Sequence, residues 1–116
     1  MTDFELFQAE FQKWQERFGL NGYKVYFKEE NLTNAFANIT VDQENMVATV
    51  RLNRKCPASD VPFKNVARTA KHEAIHLLLF KLEDRACSRY VRDGEIYEAA
   101  EELVFKLEKL IPDKES

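Results

Sequence analysis

The chain has 116 residues and a mass of 13.6 kDa, with 45% hydrophobic and 32% charged residues. That is the profile of one globular domain, expected over residues 1–116, rather than of a disordered tail. No apolar run approaches the roughly 18 residues that cross a bilayer. The net charge of −3 argues against a general affinity for nucleic acid. Met1-Thr2-Asp3-Phe4-Glu5 is acidic where a secretion signal is basic and then apolar, so a cytoplasmic location is expected. In that compartment Cys56 and Cys87 are expected as free thiols.

From Asp3 to Phe18, residues Phe4, Phe7, Phe11, Trp14 and Phe18 recur at alternating steps of three and four. The spacing predicts a helix with one aromatic face, and such regularity fits core packing better than an exposed base-stacking platform. Gly19 and Gly22 close it. Three alternating runs follow, at Tyr23–Lys28, Ala35–Asp42 and Met46–Leu52, and they read as strands. Asp42-Gln43-Glu44-Asn45 joins the last two as a hairpin. The three strands are expected to form an antiparallel sheet with Tyr23, Val25 and Phe27 and with Met46, Ala48, Val50 and Leu52 facing the core.

After a broken stretch with Pro57 and Pro62, Ser59 or Asp60 is expected to cap a long helix running to about Ala86. Its segment Ala74–Phe80 is apolar all round, which marks a central, buried helix. A connector over Ser88–Arg92 leads to a final helix from Asp93 to Ile111, with a stripe of Ile96, Ala100, Leu103, Val104, Leu107 and Ile111. The expected fold class is α+β, ordered helix, three strands, buried helix and C-terminal helix.

The buried helix carries Lys71-His72-Glu73-Ala74-Ile75-His76, an HExxH sequence. Residues four apart on a helix lie about 6 Å along the axis and about 40° around it, so both imidazoles project to one side. Two neutral imidazoles there can ligate one Zn²⁺. Glu73 projects beside them and can act as general base toward a water that the metal activates. Placing three polar groups in a Leu-rich helix without a metal leaves each in need of a partner.

These are the only two histidines, and Leu79 and Leu82 stand where a longer metal motif would have Gly and His. The third protein ligand is therefore a carboxylate, a thiolate or nothing. Cys87 is a candidate thiolate, although a small buried side chain is the simpler reading of both cysteines. Among the carboxylates of the final helix, Glu101 borders the apolar stripe and Glu98 lies opposite it. Glu101 is favoured, with Glu98 as the alternative. Glu98 and Glu102 are also candidates to brace a ligand histidine from behind. Arg89, Tyr90, Arg92 and Tyr97 are candidate donors to a developing oxyanion, none singled out.

With its His72-Glu73-Ala74-Ile75-His76 helix, preceding sheet and later glutamate helix, the chain resembles a minimal zincin metallopeptidase of the gluzincin type. The stretch from Lys71 to Leu79, with Arg89-Tyr90-Val91 and Glu95-Ile96, is also similar to small phage-encoded proteins of zincin or SprT-like type. The resemblance implies one Zn²⁺ per chain, His72 and His76 as ligands, Glu73 as general base and a downstream glutamate as third ligand. It implies a metallopeptidase acting on a peptide or protein, in the host cytoplasm if the chain is phage-encoded. Two other readings compete: a zinc hydrolase of another bond, such as RNA, which the negative charge disfavours, and a zinc-stabilised binding module, which has no need of Glu73.

Overall fold

The computed structural model describes residues 2–55, 65–87 and 93–113. The elements run α1 (Asp3–Arg17), β1 (Lys24–Glu30), β2 (Ala37–Asp42), β3 (Val47–Asn53), α2 (Val66–Cys87) and α3 (Asp93–Leu110). This is a small α+β arrangement of three helices and one three-stranded sheet. Among the described residues, no helix is long and apolar enough to cross a membrane.

The N-terminus of α1 is closed by a capping box. Thr2 Oγ1 accepts from the Glu5 amide at 3.1 Å, and Glu5 Oε1 accepts from the Thr2 amide at 3.4 Å. The aromatic face then turns inward: Phe7, Phe11 and Trp14 are fully buried, while Phe4 and Phe18 pack at the margin of the core. Phe7 and Phe11 each meet Phe27 of β1 edge to face, with ring centroids 6.4 and 5.6 Å apart. Gly19 ends the helix with φ +72°, a backbone state that a Cβ would strain.

The sheet is mixed rather than antiparallel throughout. Its strand order is β1-β3-β2, with β3 central. The β2–β3 hairpin is antiparallel, from Ala37 opposite Leu52 to Asp42 opposite Val47. β1, in contrast, runs parallel to β3, from Lys24 beside Val47 to Glu30 beside Asn53. Alternation fixes which residues face the core, and the short turn fixes one pairing, but neither determines which edge of the hairpin receives β1. Here the chain leaves β1 and crosses the end of β3 before entering β2. Asn53 holds that crossing, with its Oδ1 accepting from the Leu32 amide and its Nδ2 donating to the Leu32 and Ala35 carbonyls.

Ala48, Val50 and Leu52 of β3 face the core as expected, but Met46 is exposed and sits in the turn with φ 55°. The opposite sheet face is polar: Arg51 bonds Thr40 Oγ1 at 2.6 Å and Asn38 Oδ1 at 3.3 Å. One face therefore carries α1 and α2, and among the described residues no strand pairs with the outer edge of β2.

The α2 helix begins later than expected. Asn65 Oδ1 accepts from the Arg68 amide at 3.0 Å, so Asn65 is the cap; Ser59, Asp60 and Pro62 lie outside the described residues. Ala70, Ala74, Ile75 and Leu77 are buried, but Leu78 reaches solvent within the Ala74–Phe80 segment expected to be buried all round, and Leu82 does so beyond it.

Paired contacts give the direction of α3. Lys71 meets Ile111, His72 meets Glu108 and His76 meets Glu101, so positions fall along α3 as they rise along α2. The helices are antiparallel. Val104 supplies the fully buried centre of α3, while Leu103 of the expected stripe is exposed. A buried lysine fixes the end of α3: Lys71 Nζ donates to the Ile111 carbonyl at 2.6 Å, lies 3.0 Å from Asp113 and sits over Trp14. Arg17 adds a bond to the Asp113 carbonyl. This anchoring sets the register in which the carboxylates of α3 meet the histidines of α2.

Candidate metal centre

The central turns of α2 place His72, Glu73 and His76 in a cleft of about 630 Å³. The run Asn34–Ile39 at the β2 edge forms one wall, and Tyr97, Glu101, Phe105 and Glu108 of α3 form the other. The two imidazole rings are 4.9 Å apart, and Phe105 packs against His72 at the same centroid distance.

Glu101 joins them. Its Oε1 is 2.8 Å from His72 Nε2, and its Oε2 is 2.9 Å from His76 Nε2. One donor atom from each of His72, His76 and Glu101 falls within 4.8 Å of the others. Glu98 and Glu102 are exposed and do not line the cleft; Glu102 pairs with Lys106 at 3.0 Å. Of the acidic residues considered from the sequence, Glu101 is thus the one that reaches the histidines. Arg89, Tyr90, Arg92, Cys56 and the side chain of Cys87 lie outside the described residues.

The three groups can hold a metal ion, and the state of Glu101 supports the fit. Its Oε2 is buried and has no hydrogen-bond partner among the described residues. It is at contact distance from His76 Nε2, but not in hydrogen-bond geometry. An orphaned carboxylate oxygen beside an imidazole nitrogen is costly unless a cation completes it. Tetrahedral zinc ligands lie roughly 3.4 Å apart, so the two Glu101–histidine contacts, at 2.8 and 2.9 Å, would open by about half an ångström.

A further carboxylate stands behind His72. Glu108 Oε2 is 2.7 Å from His72 Nδ1, and Glu108 Oε1 accepts from Arg68 Nε. Burial opposes the charge of Glu108, but Arg68 and His72 outweigh it and hold its pKa below the usual carboxylate value. An ionised Glu108 can only accept, so the Nδ1–H of His72 must donate. With a metal bound, Nε2, the atom facing Glu101, would be the ligand atom of a neutral ring.

Glu108 was not among the residues considered from the sequence. A signal was present: it lies seven residues after Glu101, on the same helix face, and interrupts the apolar stripe between Leu107 and Ile111.

Electrostatics divide the site. Burial pushes Glu73 up to about 7, helped by the charges of Glu101 and Glu108 and opposed by His72. Burial also lowers the pKa of His76, with Glu101 working against it. For His72 burial again acts downward, but Glu108, Glu73 and Glu101 together raise the value. Glu101 raises the Tyr97 hydroxyl, with burial adding to it.

No family model, curated protein or solved structure matches this chain. The functional reading therefore rests on the geometry of the site.

Proposed function

We propose that the protein is a zinc-dependent hydrolase of peptide bonds, built as a minimal zincin-like arrangement around His72, His76 and Glu101. The observation that carries this reading is the convergence of those three donors beside Glu73 in one open cleft. A purely structural metal site is usually closed by four protein ligands, whereas three leave a position open. A metal site without chemistry also has no use for a buried carboxyl group aimed into the cleft.

Bound zinc would supply a Lewis acid that polarises a carbonyl and makes water more acidic. The rest falls to the chain. Glu73, buried on the cleft wall beside the two histidines, accepts the proton of the attacking water and returns it to the leaving amine. Glu108 keeps His72 in the tautomer that offers Nε2. Tyr97 on the cleft wall is placed one turn before Glu101 and is the described candidate for an oxyanion donor. An extended peptide can lie along the outer edge of β2, which no strand among the described residues occupies, and main-chain groups there set its direction.

The test is cleavage of denatured protein substrates by zinc-loaded protein, compared with Glu73→Gln carrying the same metal. Loss of at least two orders of magnitude in the variant is expected. Equal cleavage by both, or none by the parent, rejects the reading. If the parent binds zinc and peptide but never cleaves, the binding-module reading takes its place.

A further inference from the structure

The cleft has an electrical direction along α2. Apart from its two histidines, its ionisable lining is Arg68, Glu73, Glu83, Tyr97, Glu101 and Glu108. Arg68 is the one lysine or arginine among these lining residues. It stands at the start of α2, one turn before His72, while Glu83 lies two turns beyond His76. A substrate along this cleft therefore meets a cation on one side of the metal centre and a carboxylate on the other.

The guanidinium of Arg68 is held rather than loose. Its Nε donates to Glu108 Oε1, and Glu108 is 5% exposed and fixed in turn by His72 Nδ1. That contact uses one edge of the fork. The Nη groups have no acceptor among the described residues, and the Arg68 side chain remains 55% exposed. Asn65 and Thr69 flank it on the cleft wall. Balancing the charge of Glu108 needs only one cationic contact, which a lysine can provide. A planar fork tethered at Nε with its remaining donors open to a cleft suits a second carboxylate.

We propose that Arg68 is a specificity-determining residue that takes a substrate carboxylate close to the scissile bond; this rests on the peptide-hydrolase reading above. The distance follows from the helix. Four residues of α2 rise about 6 Å, and an extended peptide advances roughly 3.3 Å per residue, so the carboxylate sits within about two residues of the cleaved bond. Glu83 makes the far end of the cleft unfavourable to the same group, so the acidic end of a substrate is directed toward Arg68. The carboxylate is either the substrate's C-terminus or an Asp or Glu side chain.

Binding separates these cases without requiring turnover. Zinc-loaded Glu73→Gln is titrated with fluorescent pentapeptides in two sets. The first compares a free C-terminal carboxylate with the amide. The second compares Glu with Gln at each position in turn, all amidated. One carboxylate is expected to bind about tenfold or more tighter than its neutral counterpart. Adding Arg68→Gln should reduce that ratio to about twofold or less, and Arg68→Lys should give an intermediate value.

A preference in the first set alone assigns the chain end; in the second alone, a side chain. Equal affinities throughout, no binding of any peptide at millimolar concentration, or a preference that survives Arg68→Gln would overturn the proposal. The acid-to-amide comparison without any Arg68 change keeps the test valid if Arg68→Gln folds poorly. Carboxylate-selective binding that needs Arg68, with no cleavage by the parent, rejects the hydrolase reading and leaves Arg68 assigned. Cleavage with no carboxylate preference does the reverse.

Discussion

Glu108 Oε2 lies 2.7 Å from Nδ1 of His72, on the side of the ring opposite Glu101. The contact links two helices through a residue that neither the HExxH spacing nor the apolar stripe assigns to the site. Its consequence is chemical: it holds a proton on Nδ1 of His72 and so reserves Nε2 for a metal.

Replacing Glu108 should weaken metal binding without removing a ligand. Glu108→Ala is expected to lower zinc affinity by about 10- to 100-fold, and Glu108→Gln by less, because an amide oxygen can still accept from Nδ1. Competition with a chromogenic chelator measures both. Unchanged affinity in Glu108→Ala would show that the contact does not act on the metal centre.

Glu101→Ala removes a ligand and should weaken zinc binding by at least about an order of magnitude, while Glu98→Ala and Glu102→Ala leave it close to the parent value. The same chelator titration separates the three. A loss in Glu98→Ala equal to that in Glu101→Ala would reject the assignment.

The candidate site was legible in the sequence wherever a residue's position on its own helix sufficed to suggest it. His72, Glu73 and His76 follow from a spacing of four, and Glu101 from its angle to the apolar stripe of α3. Glu108 was harder to read, because it lies nearly two turns beyond the Glu95–Glu102 run of carboxylates and its partners are on another helix. The aromatic face of α1 and the core-facing residues of β3 from Ala48 onward could likewise be read from periodicity. The parallel pairing of β1 with β3 could not, since it depends on the path of residues 31–36 and on the side-chain bonds of Asn53. Met46 shows the same limit at smaller scale: alternation assigned it inward, but the turn rotates it out.

Glu73 gives the metal-free protein a pH-dependent stability. Its carboxyl is raised to about 7 in the fold, so the folded state binds the proton more tightly than the unfolded chain. Stability from this group is therefore present below the unfolded value near 4.5 and is lost as pH rises through about 7. Burial drives the shift, and Glu101 and Glu108 add to it against His72. In chelator-treated protein Glu73→Gln should be stabilised relative to the parent at pH 8, by up to about 3 kcal/mol, with little difference near pH 4. Urea unfolding at the two pH values checks this. A parent that is the more stable at pH 8 would contradict the burial of a near-neutral carboxyl.

Trp14 couples the core to the site through Lys71, which precedes His72 and lies over the indole ring at 5.1 Å. Trp14→Ala should destabilise the protein by about 3–5 kcal/mol in urea unfolding, as loss of a fully buried aromatic does. Trp14→Phe should cost clearly less. Similar stabilities for parent and Trp14→Ala would place Trp14 outside the core.

The central claim is that His72 and His76 with Glu101 form one zinc site, and calorimetric zinc titration of the parent beside His76→Ala tests it most directly. The account predicts one Zn²⁺ per chain in the parent and a loss of at least about 100-fold in affinity in the variant, with the far-UV circular dichroism of the two proteins alike. Zinc binding that is absent from the parent, or equally tight in His76→Ala, would contradict it.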